Sequence, residues 1–325
     1  MHNKFKLGFF PTPMYELKRF SKNYPGFRIF IKRDDHTGLA TGGNKTRKLE
    51  YLIGDALKHG ADTVITSGAQ QSNHCRQTAA ASAMAGLECH LLLGGEKPEQ
   101  PGGNLLLSTL MGANIHFKGE NRKGEDTEHL FAELKSKRKK PYIIPYGGSN
   151  LIGAMGFAEA ASELKMQLDE QRLNMDYIFF ASSSGGMQAG LMLGAAMHDL
   201  KSTLMPVCND KEKTNGLSLQ EIIRQLLTEG IAQLHLKTPM DLENIPLIKA
   251  YDHAGYGVVT HQERSAIKTL ASAEGILLDP VYTARAFYGM MDHLEKKLIR
   301  PGSNVLFWHT GGIPATFHHA REVLR

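Results

Sequence analysis

The stretch ADTVITSGAQQSNHCRQTAAASAMAGLECHLLLGG, residues 61–95, decides the fold. Residues 61–68 read as a short buried strand and 69–73 as a polar loop. Residues 74–86 read as an Ala-rich helix stopped at Gly86, and 87–95 as the next strand. Strand, helix and strand in so short a span form a βαβ unit, which runs its strands parallel. The alternation continues outward. Downstream it repeats through 104–118, 126–140 and 141–148, then through 153–173, 176–182, 188–200 and 203–209. Helices are expected at 218–230 and 261–275, and a last strand with its loop at 304–312. Upstream, FRIFIKRDD (27–35) alternates Phe27, Ile29 and Ile31 as a strand. A helix beginning near Lys45 puts Leu49, Leu52, Ile53, Ala56 and Leu57 on one face and stops near Gly60. The expected class is therefore α/β, with open, parallel, twisted sheets.

A chain of 325 residues exceeds one ordinary core and suits two lobes. Lys plus Arg exceeds Asp plus Glu by only +5, which helps anionic small ligands but does not suggest nucleic acid. The one dense basic run, KSKRKK (135–140), reads as the exposed end of a helix. Cys75, Cys89 and Cys208 cannot build a disulfide framework and have no metal-ligand spacing. No apolar run suits a signal segment or a membrane span. A soluble cytoplasmic protein, bound to neither nucleic acid nor membrane, is expected.

Four loops carry the chemistry. SSSGGMQAG (182–190) follows an apolar strand and opens a helix; Ser184, Gly185, Gly186 and Met187 could curl their N–H groups around a phosphate. Alone, it is as readily a tight turn. It is no dinucleotide fingerprint, and Gly42-Gly43-Asn44-Lys45 is no Walker loop. Lys45 is a poor choice at a helix start on stability grounds. It suits an amine nucleophile whose pKa is lowered by burial or by neighbours such as Arg47 and Lys48, although an exposed Lys would look the same. Gln71, Ser72 and Asn73 collect donors where an α-carboxylate would dock, and Ser72 or Asn73 is equally suited to cap the helix. Tyr256 lies between two glycines, Tyr282 follows a Pro turn, and Thr310 ends the last strand, where ligands gather in such sheets.

GGNKTRKLE, SGAQQSNHCRQTAA, YGGSN, SSSGGMQAGL, EGILLDPVYT and HTGGIPA follow one another across nearly the whole chain. Together they resemble the pyridoxal-phosphate-dependent D-cysteine desulfhydrase and 1-aminocyclopropane-1-carboxylate deaminase family, of the tryptophan-synthase-β-like fold. The resemblance implies pyridoxal 5'-phosphate as cofactor and a two-domain architecture: residues 1–48 and 158–325 as the large domain, 49–157 as a small mobile one. It implies that Lys45 forms an imine with the cofactor and then moves the Cα proton. Asn73 would bond the cofactor's ring oxygen, and Ser184, Gly185, Gly186 and Met187 would hold its phosphate. Thr310 would meet the pyridine nitrogen. Lys45, Ser72, Tyr256 and Tyr282 become the catalytic candidates, and Gln71, Ser72, Asn73 and Thr283 the substrate contacts. A homodimer acting on a small amino acid is implied as well.

Two departures matter. Met187 stands where the family often has a phosphate-binding Thr, which implies either a lower cofactor affinity or compensation by Ser182 or Ser183. Ala284 and Arg285 replace a common Gly and Lys. The deaminase carries Glu after its active-site Tyr and Leu at the Thr310 position, whereas this chain has Thr283 and Thr310. A hydroxyl holds the ring nitrogen's proton less well than a carboxylate, and β-elimination needs that proton less. D-Cysteine elimination to pyruvate, sulfide and ammonia is thus expected ahead of ring opening, of another β-substituted substrate such as cysteate, or of a non-catalytic sensor.

Overall fold

The computed structural model describes residues 3–210 and 212–325; Met1 and His2, at the head of the expected large domain, lie outside the described residues. The strands are β1 (Met14–Glu16), β2 (Arg28–Arg33), β3 (Thr63–Ala69), β4 (Glu88–Gly94), β5 (Asn114–Phe117), β6 (Pro141–Ile143), β7 (Tyr177–Ser182), β8 (Thr203–Cys208) and β9 (Asn304–His309). They form two sheets, one ordered β1-β2-β9-β7-β8 and the other β5-β4-β3-β6. Every pairing is parallel except β1 with β2. The helices begin with α1 (Lys18–Ser21), α2 (Lys45–Lys58), α3 (Asn73–Ala85), α4 (Gly103–Leu110), α5 (Thr127–Ser136) and α6 (Leu151–Glu170). They end with α7 (Gly186–His198), α8 (Leu219–Gln233), α9 (His261–Glu274), α10 (Thr283–Glu295), α11 (Ile313–His318) and α12 (Ala320–Leu324). Among the described residues no helix is long and apolar enough to cross a membrane.

The unit at 61–95 folds as its pattern dictates. Ser72 caps α3 by accepting from the Cys75 N–H, and Gly86 ends it in the left-handed conformation. The five-stranded sheet is buried on both sides. Phe179 and Phe307 face one layer with Phe20 and Phe287. Phe180, Leu306 and Trp308 face the other with Phe157. That is the period-two alternation of strands covered on both faces.

Some expectations shift. Leu57 is exposed, so the apolar stripe of α2 ends at Ala56. The strand at 141–148 stops at Ile143, because only its first three residues pair with β3 and Pro145 then turns the chain. α5 stops at Ser136, so most of the basic run lies past the helix; Lys137 pairs with Glu133 and Lys139 with Glu88.

Two glycines bring helices unusually close. A Cβ at Gly156 of α6 would sit 2.2 Å from the Arg47 carbonyl of α2, and one at Gly190 of α7 would sit 2.2 Å from the Ala154 carbonyl of α6. α6 thus holds the starts of α2 and α7 at fixed spacing.

A buried ion network ties α2 to this frame. The Arg47 guanidinium donates to both Asp34 oxygens at 2.8 Å and to both Glu163 oxygens at 2.9 Å. Lys32, fully buried, also pairs with Glu163 and donates to the Thr12 carbonyl at 2.7 Å. Burial alone would raise the Glu163 pKa, but the hydrogen bonds and charges of Arg47 and Lys32 outweigh it and hold the carboxyl at about 2. A carboxylate depressed on folding stabilises above its unfolded pKa and loses that contribution as pH falls through the folded one. Glu163→Gln should therefore cost about 3–5 kcal/mol at neutral pH. It should also flatten the fall in urea midpoint between about pH 5 and pH 2; equal midpoints for both proteins at neutral pH would contradict this.

Candidate active site

Three helix starts and two strand ends converge on one cleft between the sheets. Lys45, Ser72, Asn73, Ser184, Gly185, Met187, Tyr282 and Thr310 line it. Lys45 is the first residue of α2, after the Gly42-Gly43 turn, and the Asn44 N–H donates to the Thr310 carbonyl at 3.0 Å. That bond ties the lysine's loop to the end of β9.

The Lys45 ammonium donates to the Gly147 carbonyl at 3.2 Å. Lys48, one turn on and almost wholly buried, donates to the same carbonyl at 3.0 Å and to the Ser149 hydroxyl at 3.2 Å. Gly147 takes a positive φ of 64°, open to glycine, which aims its carbonyl at both amines. Among the described residues, none that lines the cleft carries a carboxylate. Burial lowers the Lys45 pKa to about 8. Burial, and then the charge of Lys45, lowers that of Lys48 well below its usual value. Two buried amines on one neutral acceptor call for an anion beside them.

The start of α7 offers such a place. Its first-turn N–H groups lack intrahelical acceptors, and Gly185 at φ 84° curls the chain there. A Cβ on Gly186 would fall 2.7 Å from the Lys48 Nζ, so this cation touches the loop. The Ser149 hydroxyl accepts from the Gly186 N–H at 3.2 Å and donates to the Ser184 hydroxyl at 2.9 Å. Met187 turns its side chain into the core, where its sulfur accepts from the Asn44 amide at 3.5 Å. Ser182 is committed to Gln188 at 2.7 Å, which leaves Ser183, Ser184 and Lys48 as the groups placed to offset the missing Thr. Two amines and a ring of N–H donors fit a phosphate-bearing aldehyde: one amine for the carbonyl, the other for the phosphate.

Across the cleft, the Ser72 oxygen accepts from the Cys75 N–H at 3.2 Å, which leaves its hydroxyl proton for a ligand. The Tyr256 and Tyr282 hydroxyls are 2.6 Å apart. Burial pushes Tyr256 up to about 12 and Tyr282 well above its ordinary value, so the pair stays protonated and keeps one proton free to donate. Cys75 is pushed up to about 12 by burial and stays a thiol, and His74 is held neutral by burial and the two lysines.

Several expected residues lie elsewhere. Tyr256 reaches the cleft through Tyr282, and Gly186 is behind the loop. Gln71 does not line the cleft: its amide oxygen accepts from the Asn104 N–H and its nitrogen donates to the Gly102 carbonyl, pinning the start of α4. Thr283 is fully buried off the cleft, its hydroxyl donating to Asp279 at 2.6 Å. Arg47, expected to lower the pKa of Lys45, points away to Asp34 and Glu163. Tyr146 and Gln188 line the cleft without having been singled out, and Lys48, named only as a charged neighbour of Lys45, reaches its edge through Gly147 and Ser149; the YGGSN motif and the KTRK run were the signals for Tyr146 and Lys48.

With cofactor removed, Lys45 should acylate with a midpoint near pH 8, because burial disfavours its charged form. Competitive labelling followed by peptide mapping measures this. A midpoint at the ordinary lysine value, about 10.4, would show the amine to be solvated.

The family described as pyridoxal-phosphate dependent enzyme matches residues 5–311. A Pyrococcus abyssi (strain GE5 / Orsay) protein, provisionally named a 1-aminocyclopropane-1-carboxylate deaminase, is 40% identical over 320 residues, 96% of this chain and 92% of that protein. A D-cysteine desulfhydrase of Salmonella paratyphi A is 41% identical over 324 residues, 96% of this chain and 95% of its own. A crystal structure of an ACC deaminase homologue superposes with TM-score 0.90 at 37% identity, covering 99% of this chain and 95% of that one. An L-serine ammonia-lyase from Rhizomucor miehei shares the fold, with TM-score 0.67 at 17% identity over 96% of this chain and 97% of its own.

Proposed function

Because the chain belongs to the pyridoxal-phosphate-dependent enzymes, we propose that it catalyses α,β-elimination on a small β-substituted amino acid. D-Cysteine is the leading substrate, converted with water to pyruvate, ammonia and hydrogen sulfide. Lys45 would hold the cofactor's aldehyde carbon, and Ser184, Gly185, Met187 and Lys48 its phosphate. Asn73 would face the ring oxygen and Thr310 the ring nitrogen. The bound group supplies an electron sink for the charge that develops at Cα.

The protein's part is to bind, orient and move protons. Ser72 and the opening N–H groups of α3 hold the substrate carboxylate. Lys45, poised near pH 8 by burial, removes the Cα proton. As that bond's electrons move in, the β-substituent departs, and the protonated Tyr256–Tyr282 pair stands ready to donate to it.

The observation that carries elimination over ring opening is the absence of any carboxylate among the cleft-lining residues, with the hydroxyl of Thr310 at the end of β9. The nearest acid on α10's approach, Asp279, is spent on the N–H groups of Val281, Tyr282 and Thr283. Ring-opening deamination is the competing reading, because relatives of nearly equal identity carry both names.

Sulfide and pyruvate release from D- and L-cysteine, beside the cyclopropane amino acid and cysteate, tests the proposal. D-Cysteine should lead, and Lys45→Ala should lose turnover and the visible absorbance of bound cofactor. Full activity in that variant would refute the role of Lys45. Cofactor absorbance unchanged by every amino acid would point to a sensor. Thr310→Leu with Thr283→Glu should shift activity toward the cyclopropane substrate, and no shift would remove support for the choice between reactions.

Residues 49–157 are proposed as the mobile part, held over the cleft by a polar clasp. Arg122 pairs with Glu212 and, at 3.3 Å, with Asp210; it also sits 4.5 Å over the Tyr256 ring. Lys123 adds a 3.0 Å pair to Asp210. Arg122→Gln should raise KM several-fold and leave thermal stability nearly unchanged, since Lys123 still satisfies Asp210. Unaltered KM would show that the clasp does not govern closure.

A further inference from the structure

Asn104, the second residue of α4, is fully buried and donates at 2.9 Å to the side-chain oxygen of Asn73. Its amide cannot turn. Its oxygen accepts from Arg76 at 3.1 Å, and a guanidinium only donates. Its nitrogen donates to the Gln71 carbonyl at 2.9 Å, and a carbonyl only accepts. Both ends of Asn104 are therefore fixed by groups of one hydrogen-bonding sense. The atom of Asn73 that meets this nitrogen must be its oxygen, so the Asn73 NH2 is turned to the other side, and Asn73 lines the cleft.

Arg76 is itself fully buried, and its guanidinium bonds run to neutral oxygens: Asn104 and, at 2.7 Å, the Gly42 carbonyl. Burial lowers its pKa to about 10, so it stays charged at neutral pH. Burying a guanidinium on neutral partners is costly. What it secures is a chain of contacts from the loop just before Lys45 through Asn104 to Asn73.

We propose that Asn104, held by Arg76, is a positioning residue that locks the Asn73 amide with its donor toward the cleft and so selects a hydrogen-bond acceptor opposite it. On the functional reading above, on which this inference rests, that acceptor is the cofactor's ring oxygen. Selection follows because an amide free to flip offers either sense, whereas this one offers a donor only.

Asn104→Asp is the decisive variant. The carboxylate fills nearly the same volume and gives Arg76 a charged partner, but it can donate neither to Asn73 nor to the Gln71 carbonyl. The Asn73 amide should reverse and present its oxygen to the cleft. Asn104→Ala removes the constraint without imposing the reverse orientation, and it leaves both a void and Arg76 short of a partner. The relay therefore predicts opposite rankings. In urea midpoint, with cofactor in excess, Asp should be above Ala. In retention of pyridoxal 5'-phosphate by the holoenzyme on dialysis, Ala should be above Asp, with cofactor loss from Asp faster than from wild type by about tenfold or more. The visible band should move in Asp. A purely structural role makes the two rankings run together, and that result overturns the proposal.

Asn73→Ala separates the layers. If it weakens retention and Asn104→Asp adds nothing on top of it, the relay is upheld. If Asn73→Ala weakens retention and Asn104→Asp alone does not, the relay fails and the functional reading stands. If Asn73→Ala changes neither band nor retention, the assignment of Asn73 to the ring oxygen fails, and this inference falls with it.

Discussion

The site depends on how one basic run is divided by a helix. Lys45, Arg47 and Lys48 are near neighbours in sequence at the start of α2. At about 100° per residue, positions three apart share a face and positions two apart point away from each other. Lys45 and Lys48 thus meet at the Gly147 carbonyl, while Arg47 turns to Asp34 and Glu163. The arginine's charge anchors the helix to Asp34, just past the end of β2, and to α6. The lysines keep theirs for the cleft, because among the described residues no acid pairs with them there. Had Arg47 faced the cleft, α2 would lose its anchor, the buried Asp34 would lose its ion pair and Glu163 would keep only Lys32.

That division sets the electrostatics of everything else. The cleft receives two amines and the starts of α2, α3 and α7, whose unpaired N–H groups add partial positive charge. A neutral His74, a thiol at Cys75 and two protonated tyrosines are the forms such surroundings favour or permit. Each is uncharged, so none quenches the positive potential offered to an anion. The carboxylates lie outside: Asp210 and Glu212 in the clasp, Asp279 beneath α10, Asp34 and Glu163 behind α2.

Regular elements were legible in the sequence wherever period and punctuation agreed, as at Ser72 and Gly86 around α3. α10 was not read, although Ala284, Phe287, Met291 and Leu294 keep helical spacing. Its start signal is displaced. Tyr282 caps nothing with its side chain, and Asp279, three residues earlier, takes the N–H groups instead. β1 is too short to carry a period, and β6 depends on β3 for its length. In the site, loops named by glycine and by helix starts could be found, since those features are local. The aim of Gln71 could not, because it is set by the start of α4, more than thirty residues away; Thr283 turns back onto Asp279, four residues earlier, because that acid takes the first N–H groups of α10. Lys48 looked like any member of a basic run until the fold placed it beside Gly186.

A cleft that buries two amines on one carbonyl is under tension by itself. Each amine is desolvated, and their charges repel. The protein holds this arrangement with the Arg47 network and the close approach of α2, α6 and α7, which are remote enough not to compete for the ligand. A dianionic group held by Lys48 and the α7 N–H groups, with its aldehyde at Lys45, would relieve that tension. A ligand that binds only the folded chain adds its binding free energy to stability. Cofactor and fold are therefore coupled through the same few side chains. The groups that would hold the cofactor's ring, Asn73 and Thr310, are fixed through Gly42, Asn44 and Arg76 to the very loop that carries Lys45. The amine cannot shift without carrying the ring's contacts with it, which is the rigidity that a proton transfer at a defined carbon requires.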